Sequence, residues 1–244
     1  KALAGMNKLT QLYLSKTGLT DFGLKELPVL PELRELSIEV TEHLTVAGVA
    51  AFGQLRKLEK LSLYEINTGD DGLGDAVFRH LAGLKSLREL SVRHCGTTNV
   101  GVKFVENLTQ LTSLVLEDGG ITDAALKSVG KLVQLKSLSL SSSVATLTYG
   151  RMQFSTDALR ELKGLQNLES LQLAGQDVPA DLLDFPRLTA LHLGSSQVDD
   201  DTVRQIARHR ELQELVLVFC DITDNGLHVL ATLPRLERLD LSSR

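Results

Sequence analysis

Apolar residues recur along this chain in a fixed frame, Leu-x-x-Leu-x-Leu, whose first residue falls at Leu9, Leu33, Leu58, Leu87, Leu111, Leu135, Leu168, Leu188, Leu212 and Leu236. The successive spacings are 24, 25, 29, 24, 24, 33, 20, 24 and 24 residues, and the two later apolar positions are filled every time, with Ile38 and Val92 standing in for Leu. Within a unit the period changes. Leu12-Tyr13-Leu14 alternates as a strand does, whereas Leu24, Leu27 and Leu30 recur every third residue like one face of a helix. Each unit therefore predicts one strand followed by a helical turn or two. Between them, Thr20-Asp21, Thr122-Asp123, Thr156-Asp157 and Thr223-Asp224, with Thr45 and Asp199 at the equivalent place, put a side-chain oxygen where the first free helix amides need an acceptor. Gly83, Gly130 and Gly164, or Pro31, Pro186 and Pro234 two residues before the next Leu, end the helix.

The run Leu111-x-x-Leu114-x-Leu116, followed by Ile121-Thr122-Asp123 and Leu126, resembles the leucine-rich repeat in its ribonuclease-inhibitor-like or cysteine-containing-like subclass of about 24 residues. The resemblance covers the whole chain. It implies an α/β fold, a right-handed solenoid arc with parallel strands on the concave face and helices on the convex face, forming one domain of about ten repeats over residues 1–244. The core is expected to be continuous, because each unit buries its apolar side only by stacking on its neighbours.

Three units depart from the frame. The unit from Leu58 carries five extra residues within Tyr64–Asp75, and the unit from Leu135 carries nine within Val144–Ser155. The unit from Leu168 is four short, with Pro179 where a helix would start. Both additions follow the strand and precede the helix, so they project from one edge of the arc, the strand C-terminal rim. Either they belong to a binding edge or they are tolerated drift in loops. At the ends, Leu3-Ala4-Gly5-Met6-Asn7-Lys8-Leu9 matches Leu81-Ala82-Gly83-Leu84-Lys85-Ser86-Leu87, and neither terminal unit is a polar cap. The expectation is a piece of a longer chain, with association through its uncapped ends.

Composition narrows the partners. Fifty leucines and no Trp in 244 residues mean that one side chain builds the core. A net charge of −5 without a basic stretch argues against nucleic acid, and no apolar run reaches the roughly 18 to 20 residues of a membrane span. Two cysteines exclude a disulfide scaffold; Cys95 and Cys220 share the ninth position of units about 24 Å apart and are expected to be free thiols. Asp199-Asp200-Asp201 reads as a helix cap, since no calcium-loop spacing follows, and Asn107-Leu108-Thr109 is a glycosylation sequon that matters only in a secretory compartment. His94, Asp118 and Ser142 occupy the eighth position of consecutive units, but Asp stands in the middle and Ser is about 9.6 Å from His, so they cannot act as a relay. No catalytic, cofactor or metal site is expected.

Outward positions are taken as the third, fifth, seventh and eighth of each unit. On the seventh and eighth rows, small side chains over three units (Ser141, Ser142, Ala174, Gly175, Gly194, Ser195) form a trough. A charged wall of Arg93, His94, Glu117 and Asp118, with Tyr64 beside it, bounds one side, and Val216, Val218 and Phe219 bound the other, with His192 between. The insertion adds Tyr149, Arg151, Met152 and Phe154, which either supply anchors to a partner or fold back and fill the trough. The function expected is a protein or peptide recognition module, cytoplasmic rather than secreted. The alternatives are the sensor part of a signalling or receptor protein and an architectural or assembly element.

Overall fold

A computed structural model describes residues 3, 5–41, 43–66, 73–117, 120–141, 152–173, 176, 178, 180–182, 184–193, 198–218 and 220–241. Ten strands form one parallel sheet in chain order: β1 (Gln11–Ser15), β2 (Glu35–Thr41), β3 (Lys60–Ile66), β4 (Glu89–Arg93), β5 (Ser113–Glu117), β6 (Ser137–Leu140), β7 (Ser170–Gln172), β8 (Ala190–His192), β9 (Glu214–Val216) and β10 (Arg238–Asp240). The register is set by the repeat frame. Leu12, Leu36, Leu61, Leu90, Leu114, Leu138, Leu171, Leu191, Leu215 and Leu239 pair strand by strand, so one misplaced residue would turn an entire leucine row to water. Leu138 is buried as its inward position predicts, and so are its equivalents from Leu36 to Leu215. The first strand is only half-buried on this row, and Leu239 in the last is exposed, because each has a neighbour on one side only.

Short helices return the chain on the opposite side of the sheet: α1 (Asp21–Leu24), α2 (Val46–Val49), α3 (Leu73–Leu81), α4 (Asn99–Val102), α5 (Asp123–Val129), α6 (Thr156–Leu159), α7 (Asp200–Ile206) and α8 (Asp224–Leu230). Several run on into 3-10 turns, and among the described residues the short unit has a 3-10 turn alone, Ala180–Leu182. Caps agree with the sequence in part. Thr45, Thr223 and Asp199 accept from the amides of Ala47, Asn225 and Thr202, whereas Thr20 and Thr122 make no side-chain cap. In the long unit the cap is Ser155, one residue before the expected Thr156, and in α4 it is Thr98.

The aspartates do something the spacing did not suggest. Each reaches forward to the cap of the next unit: Asp21 accepts from Thr45, Asp75 from Thr98, Asp123 from Ser155 and Asp200 from Thr223, in each case from both backbone N–H and side-chain hydroxyl. Asn99 and Thr122 form the amide version of the same stitch. One Thr thus caps its own helix and fastens it to the previous one. The residue three after Thr98 must be glycine, since a Cβ on Gly101 would overlap the Asp75 carboxylate.

Candidate functional site

The open face of the sheet is built from the residues that alternate with the leucines. Its eighth row is outward only in part: Lys16 is exposed, Val40 and Glu65 are half-buried, and His94 is buried. Lys16, Val40, Glu65 and His94 all have φ near 50°, the left-handed region that non-glycine residues seldom enter. In β2 and β3 that reversal falls one residue before the strand's end, and the ninth residue that follows it is turned inward, where Thr41, Ile66 and Cys95 are buried. His94 is itself 5% exposed.

Four of the expected site residues come together here. The Tyr64 and His94 rings meet edge to face with centroids 5.6 Å apart. His94 Nε2 lies 3.8 Å from Glu117 Oε1, and Arg93 Nε lies 3.4 Å from Glu117 Oε2, outside hydrogen-bond geometry. A hydrogen bond to Glu65 raises the Tyr64 phenol above its ordinary pKa. His192, Val216 and Val218 are half-buried on β8, β9 and the segment after β9, well along the sheet from that cluster. His192 Nε2 is 3.2 Å from Glu214 Oε1 but off hydrogen-bond geometry, and Arg238 donates to the same oxygen at 2.6 Å. Asp118, Tyr149, Arg151 and Phe219 lie outside the described residues, as does most of the trough. Ser141, its described member, is buried.

The described end of the insertion packs inward. Met152 is 1% exposed and Phe154 is 6% exposed, both within the core cluster, so Phe154 is a core residue and not an anchor held out to a partner. The cause is Gln176, itself 1% exposed. Its Nε2 donates to the Met152 carbonyl at 2.7 Å, and its Oε1 accepts from the Phe154 amide at 2.8 Å. Gln176 fills the ninth position of its unit. Elsewhere that position reaches back to the preceding unit through Thr41 (to Leu19 O, 3.0 Å), Cys95 (to Leu63 O, 3.8 Å) or Cys220 (to Leu193 O, 3.7 Å). Neither cysteine is in a disulfide.

A second feature lies on the fifth row of the sheet. Ser37, Ser62 and Ser91 stand in register on β2, β3 and β4, with Tyr13 on one side and Val115 on the other. They floor a cavity of about 300 Å³ edged by Glu35, Lys60 and Glu89. Tyr13 is 59% exposed, and its phenol is raised by a hydrogen bond to Glu35, which also accepts from Gln11 Nε2 at 2.8 Å. Lys60 pairs with Glu89 at 2.8 Å, which raises its pKa. Among the described residues no group of three or more His, Cys, Asp or Glu side chains could hold a metal ion, and no helix is long and apolar enough to cross a membrane.

The model of the leucine-rich repeats of FBD-associated F-box protein At5g56370 matches residues 154–244. No curated protein sequence matches the chain. Among solved structures, an internalin (inlF) from Listeria monocytogenes str. 4b F2365 is 19% identical, with a TM-score of 0.62 over 99% of this chain and 76% of that one. Internalin C2 (inlC2) from the same organism is 21% identical, with a TM-score of 0.54 over 97% and 82%. TLR13, solved in complex with ssRNA13, is 22% identical with a TM-score of 0.63; 97% of this chain matches 33% of that one, so the chain spans about a third of its length. At these identities the likeness speaks to the fold. Ten in-register parallel strands, each returned by a short helix or 3-10 turn, and the repeat model together give one conclusion: the chain is a leucine-rich repeat solenoid.

Proposed function

We propose that the chain is a non-catalytic recognition module that binds a partner protein or peptide on the open face of its sheet and along the strand C-terminal rim. The observation that carries this reading is the cavity on β1 to β5 of that face, where the exposed Tyr13 ring and three serines in register leave about 300 Å³ of space among Glu35, Lys60 and Glu89. A rigid aromatic beside hydroxyls and opposed charges is the composition of a protein contact, in which aromatic and charged anchors carry most of the affinity. The chain's net charge of −5 favours a protein over a phosphate backbone. Tyr64, Arg93 and Glu117, with the buried His94 ring packed against Tyr64, extend the surface to the rim, and Val216 and Val218 with Phe219 would extend it toward the far end.

The test is selection of a linear peptide from a random library on the immobilised chain, followed by titration of variants. Tyr13→Ala, Tyr64→Ala and Glu117→Ala are each expected to weaken binding about tenfold or more, in the range of interface anchors. Phe219→Ser is expected to weaken a ligand that spans the sheet. Lys103→Ala, on the helix side, should change nothing. Binding lost through Lys103 and untouched by the three open-face variants would sink the proposal.

A further inference from the structure

The short unit leaves a gap on the helix side that the open-face reading does not use. Where its neighbours carry α6 with a following 3-10 turn and the seven-residue α7, the unit from Leu168 has three residues of 3-10 turn, Ala180–Leu182. A cavity of about 730 Å³ opens between Asp181 and Asp184 on one side and Arg208, Arg210 and Glu211 on the other, floored by Leu188.

The charges around this notch do not balance. Asp181 is held by both Lys163 (2.6 Å) and Arg160 (3.1 Å), which lower its pKa to about 2, and Arg160 also takes Asp157. Glu211 is held by Arg235. Arg210 donates to a neutral acceptor, the Thr232 carbonyl, at 3.0 Å. Arg208 is exposed, and among the described residues its guanidinium has no partner. The unpaired Asp184 carboxylate answers only one of these two guanidiniums, so the notch is left with a positive surplus in a chain that is negative overall. A planar guanidinium with free donors takes a carboxylate in a two-pronged hydrogen-bonded pair.

We propose that this notch is a second interaction surface, separate from the open face of the sheet, and that it seats an acidic segment of a partner protein, with Arg208 pairing to a carboxylate and Asp184 accepting a hydrogen bond from the segment's backbone or side chain. The volume suits a few side chains and lies within the span of ligand pockets, about 300–1,000 Å³.

The probe is a blocked hexaglutamate peptide titrated into the isotope-labelled chain, with blocked hexalysine as the control, followed by amide chemical shifts. Saturable shifts centred on Asp184–Leu188 and Gln205–Glu211 are expected from hexaglutamate alone. The dissociation constant should rise at least fivefold in Arg208→Ala and binding should vanish in Arg208→Glu, both with wild-type thermal melting, while Tyr13→Ala leaves it unchanged. Three outcomes overturn the proposal: shifts on the open face in place of the notch, equal response to hexalysine, or an affinity that does not notice Arg208→Ala. None of them bears on the open-face ligand, whose own variants leave the notch intact.

Discussion

Val40 shows how much a single residue concedes to the repeat. A β-branched side chain in the left-handed region is strained, yet Val40 sits at φ 49° because Thr41 must turn inward to meet the Leu19 carbonyl. Val40→Asn, which tolerates that conformation, is expected to raise stability by about 0.5–1 kcal/mol in denaturant unfolding. A fall would mean that the half-buried isopropyl group contributes more through packing than it costs in strain. Gln176 makes the opposite case, since both ends of its amide are committed. Replacing it with Leu strands the Met152 carbonyl and the Phe154 amide in the core, at about 1–3 kcal/mol for each unsatisfied group. A midpoint for Gln176→Leu within experimental error of wild type would show that the insertion is not fastened there. Leu138→Ala is expected to cost about 2–5 kcal/mol, as a buried leucine between two filled neighbours should.

Adjacent units are joined by hydrophobic stacking and also by the forward reach of an aspartate to the next cap. Asp75 is the best placed to test, because it accepts from Thr98 N, Thr98 Oγ1 and Gly101 N and is partly buried. A double-mutant cycle of Asp75→Ala and Thr98→Ala is expected to give a coupling energy of about 0.5–2 kcal/mol, and strictly additive losses would remove the stitch from the account of stability. These joints also set an acid dependence. Asp199 and Asp200 are held below the ordinary carboxylate range by hydrogen bonds from Thr202 and Thr223, and Asp181 is held at about 2 by Lys163 and Arg160. A depressed folded pKa means that the contribution is present in full above the unfolded value near 4 and disappears as pH falls from there through the folded value. Unfolding midpoints measured from pH 5 to pH 2 should therefore fall less steeply for Asp181→Asn than for wild type, and less so still when salt screens its two cations. Equal slopes would count against the pairing.

At the scale of the whole solenoid, stability is expected to be the sum of unit and joint terms, and both edges of the sheet are open. With Phe22 and Leu239 exposed near those edges, light scattering should show association that grows with concentration, and a monomer at high concentration would argue that the edges are sufficiently polar. Much of this architecture could be read from the chain alone. The Leu-x-x-Leu-x-Leu frame settles strand count, order, parallel pairing and register, because a unit can bury its leucines only by placing them beside the same residues of the next unit. The lack of a disulfide between Cys95 and Cys220 and the Asp199 cap follow from the same alignment. What the frame cannot carry is the direction of a side chain once the backbone leaves the strand. At the eighth position, taken as outward, Lys16 is exposed and His94 is buried although both share the same left-handed backbone. Gln176 fastens the backbone of Met152 and Phe154 from 24 and 22 residues away. The short unit and the one after it set Asp181 and Asp184 around one cavity with Arg208, Arg210 and Glu211. Each of these depends on which atoms of separate units approach one another, and a repeat pattern, being the same in every unit, holds no record of where one unit differs from the next in space.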